Sequence, residues 1–295
     1  MRSQNRRHDV PLLSKYANAD TTKRILEGRS LRWSSPLLFN DPFDVPRDLE
    51  LPFDSSTLRS AIAKRFEAYI DGAAAPKSHA AVAILAAMLK ADPSRRPEML
   101  SALQDTMHLA TVPVEIAIAG LRSAWQDKVR HLRILCLSEV ADSATMWAHY
   151  ADNHRGAVLQ FESDDERDSA FLLAEPVMYQ DRKPELPPLD EWVRAFMGEE
   201  EIDWDRYFRE YYHVKSREWS YEREYRAISA TVDDTALYYD SPFFAEDLRG
   251  VVLGSAMDSA NESEIRGLAS SYPDVILYRA RVDHVARRVV AEPSP

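Results

Sequence analysis

The run Trp219-Ser-Tyr-Glu-Arg-Glu-Tyr-Arg226 holds two carboxylates and two guanidinium groups among aromatic rings. Its alternation reads as a strand, with Trp219, Tyr221, Arg223 and Tyr225 on one face and Ser220, Glu222, Glu224 and Arg226 on the other. On a strand Glu222 and Glu224 stand about 7 Å apart on the same side. Like charges that close raise at least one pKa unless a cation intervenes. Two readings follow. One is a solvated edge strand with a cross-strand ladder of ion pairs. The other is a catalytic Glu-x-Glu, able to stabilise a developing positive charge and to accept a proton.

Other polar residues sit at the ends of expected elements. Lys15 and Tyr16 lie in a short extended segment over 13–16. Ser138 ends an apolar strand over 133–138, and Trp147 and Tyr150 lie three apart on a short helix over 142–150 capped by Asp142 or Ser143. His154-Arg-Gly156 is the turn out of that helix. Phe39-Asn-Asp-Pro-Phe-Asp44 reads as a turn, with Asn40, Asp41 and Asp44 either building it or lining a cleft. Lys215 is expected to pair with Glu218 or another surface carboxylate. His149 and His154 are five apart across a turn, so a shared zinc is not expected, and no metal is assigned. The single cysteine, Cys136, reads as a small buried hydrophobe.

Around these residues the pattern gives an α+β protein. Asn18 to Asp20 offer caps for a helix over 21–27 that Gly28 stops, and a strand follows over 30–34. Residues 55–130 read as a helical insertion, with helices over 57–70, 80–90, 97–108 and 113–130. Strands are expected over 157–161, 176–179, 250–253 and 275–280, and helices over 191–214 and 262–270. Pro184, Pro187 and Pro188 mark a loop. The organisation expected is one domain over 1–295, a mixed or antiparallel sheet with the insertion 55–130.

Composition weighs against several classes, although nucleic acid stays open as an acceptor. A net charge of −11 over 295 residues repels nucleic acid and anionic lipid on average. Arg2, Arg6 and Arg7 read as a frayed tail. Eight glycines, with no Walker loop, Gly-x-Gly-x-x-Gly or Gly-x-Ser-x-Gly, leave little material for a glycine-rich phosphate cradle. No apolar segment has membrane-spanning length, and a cytoplasmic location is expected.

Taken in order, Lys15-Tyr16, Phe39–Asp44, Leu137-Ser138, Met146-Trp-Ala-His-Tyr150, His154-Arg-Gly156, Lys215 and Trp219–Arg226 resemble the bacterial family called domain of unknown function 2971. That name carries no activity. The order of elements is also similar to that of ADP-ribosyltransferase folds, in which a polar residue on a first strand, a Ser or Thr ending a later strand, an aromatic helix and a downstream Glu-x-Glu form the site. This second resemblance implies an NAD-consuming enzyme, transferring ADP-ribose to an acceptor that the sequence does not specify, or hydrolysing NAD. It places Glu224 as the electrostatic carboxylate and Glu222 as the base. Lys15, Tyr16, Ser138, Trp147, Tyr150, His154 and Arg226 fall around the nucleotide, with Trp147 and Tyr150 as a stacking wall and Lys15 or Arg226 on phosphate. The departure is Lys15 or Tyr16 where many such enzymes have Arg or His. Analogy of fold suggests phage defence or a toxin. The alternative is a ligand- or protein-binding module without catalysis. A metal-dependent nuclease built on Asp41, Asp44, Glu222, Glu224 and Lys215 lacks the expected Pro-Asp…Glu-x-Lys pattern.

Overall fold

A computed structural model describes residues 2–45, 48–51, 53–70, 87–88, 90–98, 101–102, 105, 111–182, 186–233, 235–285 and 287–294. The helices expected over 80–90 and 97–108 fall largely outside them, as does Pro184. The chain forms an α+β fold with a mixed sheet, in two compact units. One is drawn from residues 1–45, 128–182 and 213–295, the other from 46–127 and 183–212.

The first unit is built on strands β1 (Leu12–Ala17), β2 (Ser30–Ser34), β3 (Leu132–Ser138), β4 (Ala157–Glu162), β5 (Glu175–Pro176), β6 (Met178–Tyr179), β7 (Val214–Lys215), β8 (Glu224–Ala230), β9 (Tyr238–Pro242), β10 (Leu248–Leu253), β11 (Ile276–Asp283) and β12 (Arg288–Pro293). The main sheet runs β12-β11-β10-β4-β1-β3-β2-β9, with β8 on β3 and β5 on β8. β10 and β11 are parallel, whereas β1 and β4 pair antiparallel along their whole length. β6 and β7 form a separate parallel pair.

Alternation along the central strands sends side chains to two layers. Leu13, Leu159, Phe161, Val251 and Leu253 pack under helix α1 (Ala19–Gly28) and the later helix over Ser259–Ala269, with Ile25, Leu26 and Ile265. Tyr16, Val158 and Val252 face the opposite layer, where Met146 and Trp147 complete the core. Period-two burial on both faces of a covered sheet explains why these strands are legible in sequence.

α1 begins as expected, with the Asn18 side chain accepting from Thr21 N at 2.8 Å. Its end differs: the left-handed residue is Arg29 (φ 45°), one position past Gly28. The turn after the short helix over Ala144–Tyr150 holds Asp152, Asn153 and His154 at φ 47°, 51° and 66°. It closes on Gly156 and Gly254, where a Cβ would run into the carbonyl oxygens of Ala17 and His154. Arg6 is anchored, whereas Arg2 and Arg7 are exposed. Arg6 holds Asp165 through two bonds of 2.9 and 3.0 Å, and the His8 ring pairs with Phe171 O at 2.9 Å.

In the second unit α2 (Ser55–Ile70) buries Leu58 and Ile62, which pack with Val193 and Met197. Further helices, in chain order, are α3 (Thr111–His131), which runs out of this unit, α4 (Ala144–Tyr150), α5 (Leu189–Phe196), α6 (Trp204–Tyr212) and α7 (Ser259–Ala269). The single helix expected over 191–214 is thus two, α5 and α6. The break falls near Gly198, whose φ of 67° the helix cannot accommodate. Among the described residues no helix is long and apolar enough to cross a membrane.

Candidate functional site

The site is assembled where β1, β3 and β8 meet. Ser14 on β1 pairs with Ser138 on β3, and Ser138 pairs with Glu224 on β8. The three strand positions therefore lie in one row across the sheet.

The turn over 39–45 supplies Asp44. Asp41 Oδ1 accepts from Phe43 N at 2.9 Å, and Asp44 N donates to Asp41 O at 3.2 Å. Buried Asp44 receives Arg226 in a two-bond fork of 2.8 and 2.6 Å. Arg226 is two residues beyond Glu224 on β8, so both point to one side, and it also donates to Glu224 Oε1 at 2.8 Å and Oε2 at 3.0 Å. Lys215 on β7 donates to Glu222 Oε2 at 2.6 Å and Glu224 Oε2 at 3.1 Å, and stands 3.6 Å from Asp44. Lys215 thus pairs with buried carboxylates rather than with Glu218.

The route by which Glu222 arrives is a correction. Residues Arg217–Glu222 form a 3-10 turn, Arg223 is left-handed (φ 43°), and β8 starts only at Glu224. Glu222 and Glu224 are therefore not successive residues on one strand face. They approach from two elements and meet at the same ammonium. The run over 216–225 has no β-branched residue, and its alternation rests on Trp219, Tyr221 and Tyr225 alone. The Glu222 carbonyl accepts from Ser138 Oγ at 2.6 Å, and its carboxylate Oε1 accepts from Tyr150 OH at 2.5 Å.

Electrostatics separates the two glutamates. Burial pushes the Glu222 carboxyl up, and Lys215 offsets this in part. Burial pushes Glu224 in the same direction, but Arg226 and Lys215 outweigh it and hold Glu224 well below the usual carboxylate range. Burial would lower Lys215, yet Glu224, Asp44 and Glu222 together hold its ammonium above the ordinary lysine range. Tyr150 is raised by burial and then by Glu222, so its phenol stays protonated.

A cavity of about 360 Å³ opens beside this cluster. Lys15, Tyr16, Ser138, Tyr150, Glu222 and Glu224 line it. Lys15 Nζ donates to Cys136 O at 2.8 Å. The Tyr16 hydroxyl donates to Val140 O at 3.1 Å. Trp147, His154 and Arg226 stand off the cavity. Trp147 is wholly buried, donates to Ala141 O at 2.9 Å and lies edge-on to Tyr16 at 5.7 Å. The His154 ring stacks on Trp147 at 5.9 Å, and burial lowers its pKa. Arg226 is the wholly buried clamp between Asp44 and Glu224.

Three further residues belong to the site. Asp44 is the clamp's acceptor. Tyr179 accepts the Glu224 N–H at 2.7 Å through its hydroxyl oxygen. Cys136 is half-buried on the cavity wall rather than sealed in the core, and burial pushes its thiol up, which keeps it protonated. In sequence Asp44 reads as a turn or cleft-lining residue with nothing to link it to Arg226, and nothing marks Tyr179. Three carboxylates converge where a cation would bind, and the Lys215 ammonium takes that place. Among the described residues no group of three His, Cys, Asp or Glu side chains is arranged to hold a metal.

Residues 146–227 match the family model described as a protein of unknown function, DUF2971. The match includes Tyr150, Lys215, Glu222, Glu224 and Arg226 and leaves Lys15, Asp44 and Ser138 outside. Comparisons with curated proteins and with solved structures give no match.

Proposed function

We propose that the first unit binds NAD in the 360 Å³ cavity and breaks its nicotinamide–ribose bond, passing ADP-ribose to an acceptor or to water. One observation carries this reading: Glu222 and Glu224 share Lys215 while their surroundings push their pKa values in opposite directions. Carboxyl groups split in this way divide into distinct roles. The meeting of the strands bearing Lys15, Ser138 and Glu224 at one cavity supports an ADP-ribosyltransferase-like core.

The division of labour favours Glu222 as the reacting group. Glu224 meets two cations, Arg226 and Lys215, whereas Glu222 meets Lys215 alone, so the Glu224 charge is the more fully balanced within the protein. Glu224 then anchors the cluster. As the C1′–N bond breaks, its electron pair passes to the nicotinamide ring, which leaves neutral. The ribose carries the positive charge, which Glu222 faces. The acceptor hydroxyl or water attacks C1′, and its proton passes to the Glu222 carboxylate. Lys15 meets a phosphate, and the Tyr150 ring forms part of the nicotinamide wall.

The test is NAD binding by calorimetry beside nicotinamide release, in wild type, Glu222→Gln and Glu224→Gln. Glu222→Gln is expected to cut release by about a hundredfold or more while NAD still binds. Glu224→Gln is expected to weaken binding as well, because it loosens Arg226 and Lys215. Folded wild type that neither binds NAD nor releases nicotinamide would sink the reading. The saturated Asp44–Arg226–Glu224 clamp would then favour a ligand-binding module without catalysis. NAD depletion in cells would be the counterpart expected of a defence factor or toxin.

A further inference from the structure

We infer that Tyr150 is a positioning residue that aims the Glu222 carboxylate into the cavity and keeps it ready to accept a proton. This rests on the reading of Glu222 as the group that meets the reacting carbon. The argument begins with what holds Glu222. Its backbone carbonyl is fixed by Ser138 Oγ at 2.6 Å. One carboxylate oxygen is taken by Lys215 at 2.6 Å, but that ammonium also serves Glu224. The other oxygen accepts from Tyr150 at 2.5 Å. With Lys215 alone, the carboxylate could rotate about a single contact. With Tyr150 as well, its plane is set by two donors on opposite oxygens.

Tyr150 itself is held on α4. Its neighbour His149 meets Tyr221, the residue before Glu222, with Nδ1 and hydroxyl oxygen 3.1 Å apart. Two adjacent residues of α4 thus contact two adjacent residues of the 217–222 turn. The inner rung, Tyr150–Glu222, is half-buried at the cavity, whereas the outer rung is exposed to solvent. Two short runs, Trp-Ala-His-Tyr and Trp-Ser-Tyr-Glu, are joined by this ladder.

The electrostatic consequence has a definite sign. Around Glu222 stand Tyr150 from α4, Lys215 from β7, Glu224 from β8, Tyr179 from β6 and its own neighbour Tyr221, with Asp44 reached through Lys215. Burial and Glu224 favour the protonated carboxyl, and Lys215 and the donated Tyr150 bond favour the carboxylate. Removing the phenol oxygen therefore moves Glu222 toward its protonated form. Tyr150 has its own titration far above neutrality, so it remains a donor throughout.

The experiment is the pH profile of nicotinamide release in wild type and Tyr150→Phe, with His149→Ala as the outer-rung control. In Tyr150→Phe the acid limb is expected to move to higher pH and kcat to fall about tenfold or more, with KM for NAD changed less than threefold. His149→Ala is expected to leave both unchanged. An acid limb that stays in place, or a loss confined to KM, overturns the inference and leaves Tyr150 as a wall. If wild type turns over no NAD, the functional reading falls, and the Glu222 titration followed by carbon NMR in glutamate-labelled protein decides the positioning alone. Glu222→Gln assigns the resonance. An upward shift in Tyr150→Phe supports the inference and no shift overturns it. If Tyr150→Phe does not fold, 3-fluorotyrosine placed at position 150 is the second variant. Its more acidic phenol should move the Glu222 titration downward, and an unmoved titration overturns the inference.

Discussion

The region around β7 and β8 buries charge, and the second unit buries rings. In the former, Asp44, Lys215, Glu222, Glu224 and Arg226 are each at most 6% exposed. In the latter, wholly buried Trp125 lies stacked on Tyr212 at 5.6 Å, edge-on to Tyr211 at 5.4 Å and beside Phe208 at 5.2 Å. Trp192, Trp204 and Phe53 extend the ring cluster. Rings bury large apolar area and stabilise without directional partners. Buried ions are costly to desolvate, and even a complete set of partners often does no better than apolar packing of the same volume. Such a cluster is weak evidence of stabilisation, and this agrees with the proposal that places the chemistry in the first unit.

The comparison is broken most directly at Arg226. Arg226→Met leaves Asp44 and Glu224 buried without their guanidinium, and about 3–5 kcal/mol of unfolding free energy should be lost in urea. A loss under about 1 kcal/mol would mean that the carboxylates reach water and that the two regions are not different in kind. In the ring cluster, Trp125→Leu should cost about 2 kcal/mol through lost contacts and a partial cavity.

The smallest effect, and the one that sharpens the contrast, is pH dependence. Glu224 is held below the usual carboxylate range, so its contribution is full above that range and is lost as pH falls through its folded value. Glu222 is raised, so its contribution is full below the usual range and is lost as pH rises through its folded value. The two oppose each other on acidification. Urea midpoints between pH 3 and pH 7 should therefore fall less steeply in Glu224→Gln than in wild type, and more steeply in Glu222→Gln. Parallel profiles in all three proteins would sink the assignment of opposite shifts.

What could be read from sequence was whatever local pattern encodes. Asn18 caps α1 because its side chain is three residues from its donor. β3, β4 and β10 are continuous buried runs. The short helix α4 follows Ser143, whose side chain accepts from Met146 N. Lys15, Ser138 and Glu224 line one cavity. The failures come from the same source. β9 and β12 are sheet edges with few buried residues, so little apolar period marks them. The reversal at Arg223 depends on a left-handed arginine, a residue type that carries no signal for it. Trp147 in a helix of polar and aromatic residues looks equally like a wall or a core, and the hydrogen bond from its indole to Ala141 O places it in the core. The clamp was illegible because Asp44 and Arg226 are 182 residues apart.

That separation also orders the assembly of the site in time. Closing so long a loop is entropically unfavourable until intervening chain has been organised, and one buried ion pair cannot drive it. Pairing of β3 with β8 sets Glu224 and Arg226 in place, while Asp44 arrives on a turn that no strand registers. If the Asp44–Arg226 fork closes late, Asp44→Asn is expected to speed unfolding more than it slows refolding in stopped-flow urea kinetics. Equal effects on both rates would place the fork among the contacts that form early.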